Sequence, residues 1–348
     1  MKVTIITGVC GTTGSQILDY LLEEDEEVLR GERIIYGVDN YFRGTLSNIS
    51  SHLGSPSFLF DPIRFQDLFK MKASDVIPDC HDEPIEVDEI YHMAAVVPTK
   101  YFYESPDMTY KENCVGTIDL FNWAIKNHVR RFIVGSSSEI YGHIKDEDLP
   151  ATETTPSRFD AEEVSTRWSY AEGKILTEHV LNHSKDEVER VCHLRFANTY
   201  GVRDLDNNHV IPYLINCVAN HETIHINSDS SHFKRTFLNN KDSARACVLL
   251  MKKGQNGQAY NVGSTEEVSI EELLQTVIQS FKGFGAFTQY YYATLEVVSD
   301  INRPGDPKRR ILSCERLYRD TGFTPKVSLK EGIDEMVYKV LKDKGVVR

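Results

Sequence analysis

Apolar residues fall in short continuous runs through the first two hundred positions, separated by stretches with helical spacing. Residues 3–6 (Val-Thr-Ile-Ile) run into a glycine turn and read as a parallel strand buried on both faces. A helix follows over 12–22, with Ile17, Leu18, Leu21 and Leu22 as its apolar face. Strands are predicted at 33–38, 57–60, 89–92, 131–134 and 191–196. Between the third and fourth, a helix and a polar segment occupy 72–88; a long helix covers 106–127 before the fifth, and another starts near Tyr170. The acidic run 23–27 reads as a solvated helix end. Strand alternating with helix is the pattern of a doubly wound parallel sheet.

Past residue 200 the alternation loosens. A helix is predicted from 210–215, short strands at 223–226 and 235–238, and helices at 241–252, 269–281, 313–321 and 328–343. The expected architecture is α/β. A Rossmann-type nucleotide domain spans 1–180, with returning strands from about 190–200 and 223–263. Residues 181–348 form mainly a smaller, interleaved substrate-binding lobe.

Composition narrows the function classes. With 41% hydrophobic and 26% charged residues, the chain reads as an ordinary globular protein. A net charge of -13 argues against nucleic-acid binding, which needs a basic face, but leaves room for a local arginine site for an anion. The seven cysteines form no paired motif and no zinc-like cluster, so reduced core thiols and no metal are expected. No run is long enough to span a membrane and the first residues lack a signal peptide's apolar region, so a cytoplasmic protein is expected.

Two stretches carry candidate chemistry. Gly8, Gly11 and Gly14 lie between the first strand and helix, where they let the backbone approach a pyrophosphate resting on a helix N-terminus. Asp39 ends the second strand, where a carboxylate meets a ribose 2′-hydroxyl; it favours NAD over NADP. Asp61, ending the third strand, either reaches the adenine or caps a helix. In the second stretch, Tyr170 and Lys174 sit one helical turn apart, and Ser136, Ser137 and Ser138 sit at the mouth of the fifth strand. A lysine ammonium near a tyrosine favours its phenolate, and Ser137 could hold a substrate oxygen beside it.

With these residues placed, the chain resembles the extended short-chain dehydrogenase/reductases, in their nucleotide-sugar epimerase/dehydratase branch. Thr7-Gly-x-x-Gly-x-x-Gly14 and Asp39-Asn40 are similar to the cofactor motifs, His92-Met-Ala-Ala95 to the HxAA loop, and Asn113-Cys-Val-Gly-Thr117 to the NxxGT helix. Ser136-Ser-Ser-Glu-Ile-Tyr-Gly142 and Tyr170-x-x-x-Lys174 resemble the catalytic motifs. Arg195-Phe-Ala-Asn-Thr-Tyr-Gly201, Arg235-Thr-Phe, Tyr260-Asn-Val-Gly263 and Arg303-Pro-Gly-Asp306 resemble those of the substrate lobe. The resemblance implies NAD held by Gly8, Gly11, Thr12, Thr13, Gly14, Asp39, Asn40, Asp61, Ala94 and Ala95, together with Tyr170 and Lys174. It implies a nucleotide-diphosphate sugar held by Ser138, Asn198, Arg235 and Arg303. Tyr170 would take the proton of a sugar 4-hydroxyl as hydride leaves C4, with Lys174 and Ser137 assisting. A homodimer is also implied, through a four-helix bundle of the Asn113 and Tyr170 helices; Leu120, Phe121, Ile175 and Val180 could serve that face or the core.

Departures are few. Cys10 stands near the expected pyrophosphate and reads as a small filler, and Thr13 stands where an isoleucine is common. Arg309 and Arg310 read as solvated residues of a basic turn. Glu139 separates the reactions: many 4-epimerases carry threonine or serine there, whereas decarboxylases and 4,6-dehydratases carry glutamate to move protons at C5 or C6. Dehydratases usually precede it with aspartate, and Ser138 makes this stretch most similar to UDP-glucuronate decarboxylases. A purely local role for Glu139, a reductase of a non-nucleotide carbonyl using NAD(P), and a silent NAD-binding scaffold are the alternatives.

Overall fold

The computed structural model describes residues 1–71, 86–159, 168–204, 209–227, 233–285, 297–301 and 309–347. A seven-stranded parallel sheet has the order β10-β6-β5-β4-β1-β2-β3. It comprises β1 (Lys2–Thr7), β2 (Arg33–Val38), β3 (Phe58–Asp61), β4 (Glu86–His92), β5 (Arg131–Ser137), β6 (Arg190–Phe196) and β10 (Gln258–Val262). Its strands are apolar throughout because both faces are covered, and successive side chains alternate between two cores. Ile6, Ile35, Ile133 and Leu194 face helices α1 (Thr12–Glu24) and α8 (Asn240–Lys253). Ile5, Ile34, Phe132 and Val134 face α5 (Gly116–Lys126) and the end of α6 (Trp168–His183).

The expected elements are present, most shifted by one to three residues at their ends, as fraying ends allow. The polar segment lies largely outside the described residues. Of the returning strands, only β6 and β10 join the large sheet; β8 (Ile224–Asn227) pairs with β12 (Val297–Ile301), and β9 (Lys234–Asn239) centres a separate small sheet. In that sheet β9 is flanked by β11 (Glu267–Ser269), β13 (Arg309–Arg310) and β7 (Asn198–Tyr200). Its core is shared with α7 (Val210–Asn220), α9 (Ile270–Gly283) and the helix Leu329–Asp343.

The acidic run departs from a solvated helix end. Asp25 is buried, caps a short helix Glu26–Leu29 through the Glu27 and Val28 amides, and so splits the expected single helix in two. Glu27 bonds to Lys2 and Arg33. Leu120 and Phe121 lie in the core, which resolves their two readings in favour of packing. Among the described residues no helix is long and apolar enough to cross a membrane.

Candidate active site

Strand order reverses between β1 and β4, and a cleft opens beyond their carboxyl ends. Gly8, Gly11, Asp39, Asn40, Ala94 and Ala95 line it. Gly8 has φ +71°, and a Cβ there would lie 2.7 Å from the Ala94 amide nitrogen; a Cβ on Gly14 would lie 2.2 Å from the Gly8 carbonyl oxygen. Only glycine fits either position, so the loop lies tight against the sheet. Helix α1 begins at Thr12 with no side-chain cap, leaving its N-terminus, where Thr12 and Thr13 stand, to an outside anion.

Asp39 Oδ2 accepts from the Cys10 amide at 2.9 Å and Oδ1 from the Tyr41 amide at 2.7 Å. Burial raises its pKa, and these two amides pull it back. Asn40 turns inward on its own loop and accepts from the Phe42 amide at 3.1 Å. Asp61 accepts from the Tyr36 hydroxyl at 2.5 Å and forms no helix cap. The Cys10 thiol is buried and pushed up to about 12 by burial and then by Asp39, which makes it an unreactive filler. The residues present therefore fit a dinucleotide.

The HxAA and NxxGT motifs hold each other. The His92 ring bridges the Thr7 hydroxyl at 2.7 Å and the Thr117 hydroxyl at 2.8 Å. Burial, followed by the charge of Lys174, lowers its pKa to about 3, so it stays neutral. The Asn113 amide accepts from the Val96 N–H and donates to the Val96 C=O, both at 2.7 Å. These buried, paired groups fix the loop carrying Ala94 and Ala95.

Ser137, Glu139, Tyr170 and Lys174 converge past the end of β5. Tyr170 is buried on α6 and hydrogen-bonded to the Ser137 side chain. Its pKa lies well above the ordinary value because of burial, with Glu139 adding to the rise and Ser137 opposing it. Lys174 is also buried and donates to the Gly135 carbonyl at 2.6 Å; burial lowers its pKa to about 8, partly offset by Cys114 and Glu178. Ser137 Oγ accepts from the Glu139 amide at 3.2 Å, and Ser138 is buried beside it. Phe102, on a short helix α3 (Thr99–Glu104), lies flat against Tyr170 with ring centres 4.5 Å apart and 12° between planes.

Arg310 overturns its sequence reading. Rather than solvated, it is buried, and its Nη1 donates to Glu139 Oε1. Its Nε and Nη2 are buried with no partner, an arrangement that invites an anion. Strand β13 pairs with β9, and Arg310 stands opposite Arg235. Paired positions point to one face, so the two guanidinium-bearing residues share a side of the small sheet. Asn198, on β7 beside β9, donates to the Thr236 carbonyl at 3.1 Å. Arg309 is the exposed one and pairs with Glu267. Arg303 lies outside the described residues. A buried glutamate needing a partner was the one sequence signal for Arg310.

The sequence model of the NAD dependent epimerase/dehydratase family matches residues 4–263. The chain is 27% identical over 336 residues to UDP-glucuronic acid decarboxylase 6 of Arabidopsis thaliana, covering 95% of this chain and 87% of that protein. In fold it is similar to a UDP-glucose 4-epimerase of Thermotoga maritima (TM-score 0.79, 23% identity, 99% of this chain and 100% of that one). It is also similar to a dTDP-glucose 4,6-dehydratase of Streptomyces venezuelae solved with NAD (TM-score 0.80, 22% identity, 99% and 98%).

Proposed function

The chain belongs to the NAD dependent epimerase/dehydratase family, and from that premise we propose that it is an NAD-using enzyme that oxidises C4 of a nucleotide-diphosphate sugar and then releases the sugar's 6-carboxylate as carbon dioxide. The pairing of Glu139 with a buried Arg310 whose two remaining nitrogens are unpartnered carries this reading. The decarboxylase relatives among the matched proteins support it.

Bound in the cleft, NAD supplies the hydride acceptor for C4 and returns the hydride later. Tyr170 takes the 4-hydroxyl proton, Ser137 hydrogen-bonds O4, and the Lys174 ammonium lowers the energy of the phenolate. The C5–C6 bond of the 4-keto sugar can then break, because its electron pair passes into an enolate at C4 and C5. Arg310 would orient the carboxylate through its spare N–H groups, and Glu139 would manage the proton that C5 gains. Arg235 and Asn198, with Arg303, would hold the diphosphate. The same reading takes residues 181–348 as mainly the nucleotide-sugar lobe, and a homodimer would form over the exposed Tyr110, Val115 and Leu176 on adjoining helical segments.

Incubation with UDP-, dTDP-, GDP- and CDP-linked sugars and uronic acids, read by product mass, tests the proposal. Loss of carbon dioxide from UDP-glucuronate is expected, and Glu139→Gln should stop it. Loss of water, or unchanged mass with an epimer seen by NMR, would replace decarboxylation with dehydration or 4-epimerisation.

A further inference from the structure

The helix α3 that carries Phe102 has only six residues, yet it is fixed from three sides. The Thr109 hydroxyl donates to its Tyr101 carbonyl at 3.1 Å. Tyr101 packs against Phe42 with ring centres 5.4 Å apart, and Phe42 lines the cofactor cleft. Phe102 faces the other way, is itself buried, and meets the Tyr170 ring in the near-parallel stack. One short helix thus touches both the cleft and the tyrosine.

We propose that Phe102 is a positioning residue for the proton abstraction: lying flat on Tyr170, it holds the phenol toward Ser137 and keeps water from that ring face. This rests on the reading of Tyr170 as the base. The ionisation of Tyr170 is then governed by the groups around it. From the turn after β5 come the Ser137 hydroxyl and the Glu139 carboxylate, the latter paired with Arg310 of β13. From its own helix comes Lys174, whose Nζ is 5.8 Å from the ring centre. From the segment Lys111–Val115 comes Cys114, near Lys174 and Gly173, and Tyr110 also lies close to Gly173. From α3 the contact is the uncharged face of Phe102. An aromatic face is the negative part of the ring's quadrupole and a phenolate stacked on it gains no hydration, so both effects oppose ionisation.

Removing the ring should therefore ease ionisation while loosening geometry. The test uses the holoenzyme with UDP-glucuronate and follows kcat against pH for wild type, Phe102→Ala and Phe102→Leu. A second readout is the Tyr170 phenolate absorbance of each protein without substrate, taken as the difference from the same protein carrying Tyr170→Phe. In Phe102→Ala the acid limb and the phenolate titration should both move to lower pH by about one unit, and the plateau kcat should fall about tenfold with little change in KM. Phe102→Leu refills the space without a ring and should lie nearer wild type in both; it also serves if the alanine variant does not fold. A limb and titration unmoved in Phe102→Ala, or equal shifts in the two variants, would overturn the proposal. Turnover by Tyr170→Phe would instead overturn the parent reading of the base, and this one with it.

Discussion

Arg33 and Arg310 are both buried arginines held by carboxylates, yet they differ in what is left over. Arg33 begins β2, at the end of the sheet where strands start. Its Nε and Nη2 bond to Glu27, Nη2 also reaches Asp88 at 2.7 Å, and Nη1 meets Thr4 at 2.6 Å and Glu89 at 3.0 Å. Every nitrogen is used. Arg310 lies past the opposite end of the strands, has one carboxylate, and keeps two nitrogens unused. A burial that consumes all donors describes a structural residue; one that leaves donors dry describes a residue waiting for a ligand.

The comparison can be broken by measurement. Arg33→Met leaves Asp88 and Glu89 short of a partner inside the protein, so stability should fall by about 3–5 kcal/mol in urea melts, with activity per folded molecule within about twofold of wild type. Arg310→Met should do the reverse: kcat/KM for UDP-glucuronate should fall about 100-fold or more, roughly 2.7 kcal/mol of transition-state stabilisation, while the urea midpoint hardly moves because the partly exposed Glu139 can hydrate. Equal stability losses in the two variants would erase the distinction.

A smaller effect concerns Lys174, a buried cation with no carboxylate bonded to its ammonium in the way Arg33 has. Burial sets its pKa at about 8, so turnover that depends on the ammonium should decline above that pH as one proton leaves, and a kcat/KM profile would show the limb. Its stability contribution has the opposite sense. The folded pKa lies below the unfolded one, so burial of the charged form is unfavourable below about 8, and that cost is relieved as pH rises from about 8 toward 10.5. Lys174→Met should remove this rise.

Much of the sheet could be read from sequence because its strands are apolar runs punctuated by glycines and carboxylates, and each signal is local. The Ser137, Tyr170 and Lys174 group was equally legible, since one strand end and one helical turn place it. Arg310 was not, because its burial comes from a two-residue strand pairing with β9 some seventy-five positions earlier, too short to show any periodicity. Phe102 was hidden for a similar reason: six residues of helix carry no pattern that tells which ring faces the tyrosine. The capping role of Asp25 was lost in a run of like charges, where only the structure separates the buried member from its solvated neighbours.

The Asp39 carboxylate clasps the glycine loop through the Cys10 amide and the following turn through the Tyr41 amide. Both loops are thereby ordered by the chain itself. A dinucleotide entering the cleft would meet a rigid receptor, so little of its association free energy would be lost to freezing the backbone, and calorimetry should find a small entropic penalty. Asp39→Ala would transfer that ordering to the binding step, where it would weaken affinity beyond the loss of a ribose contact.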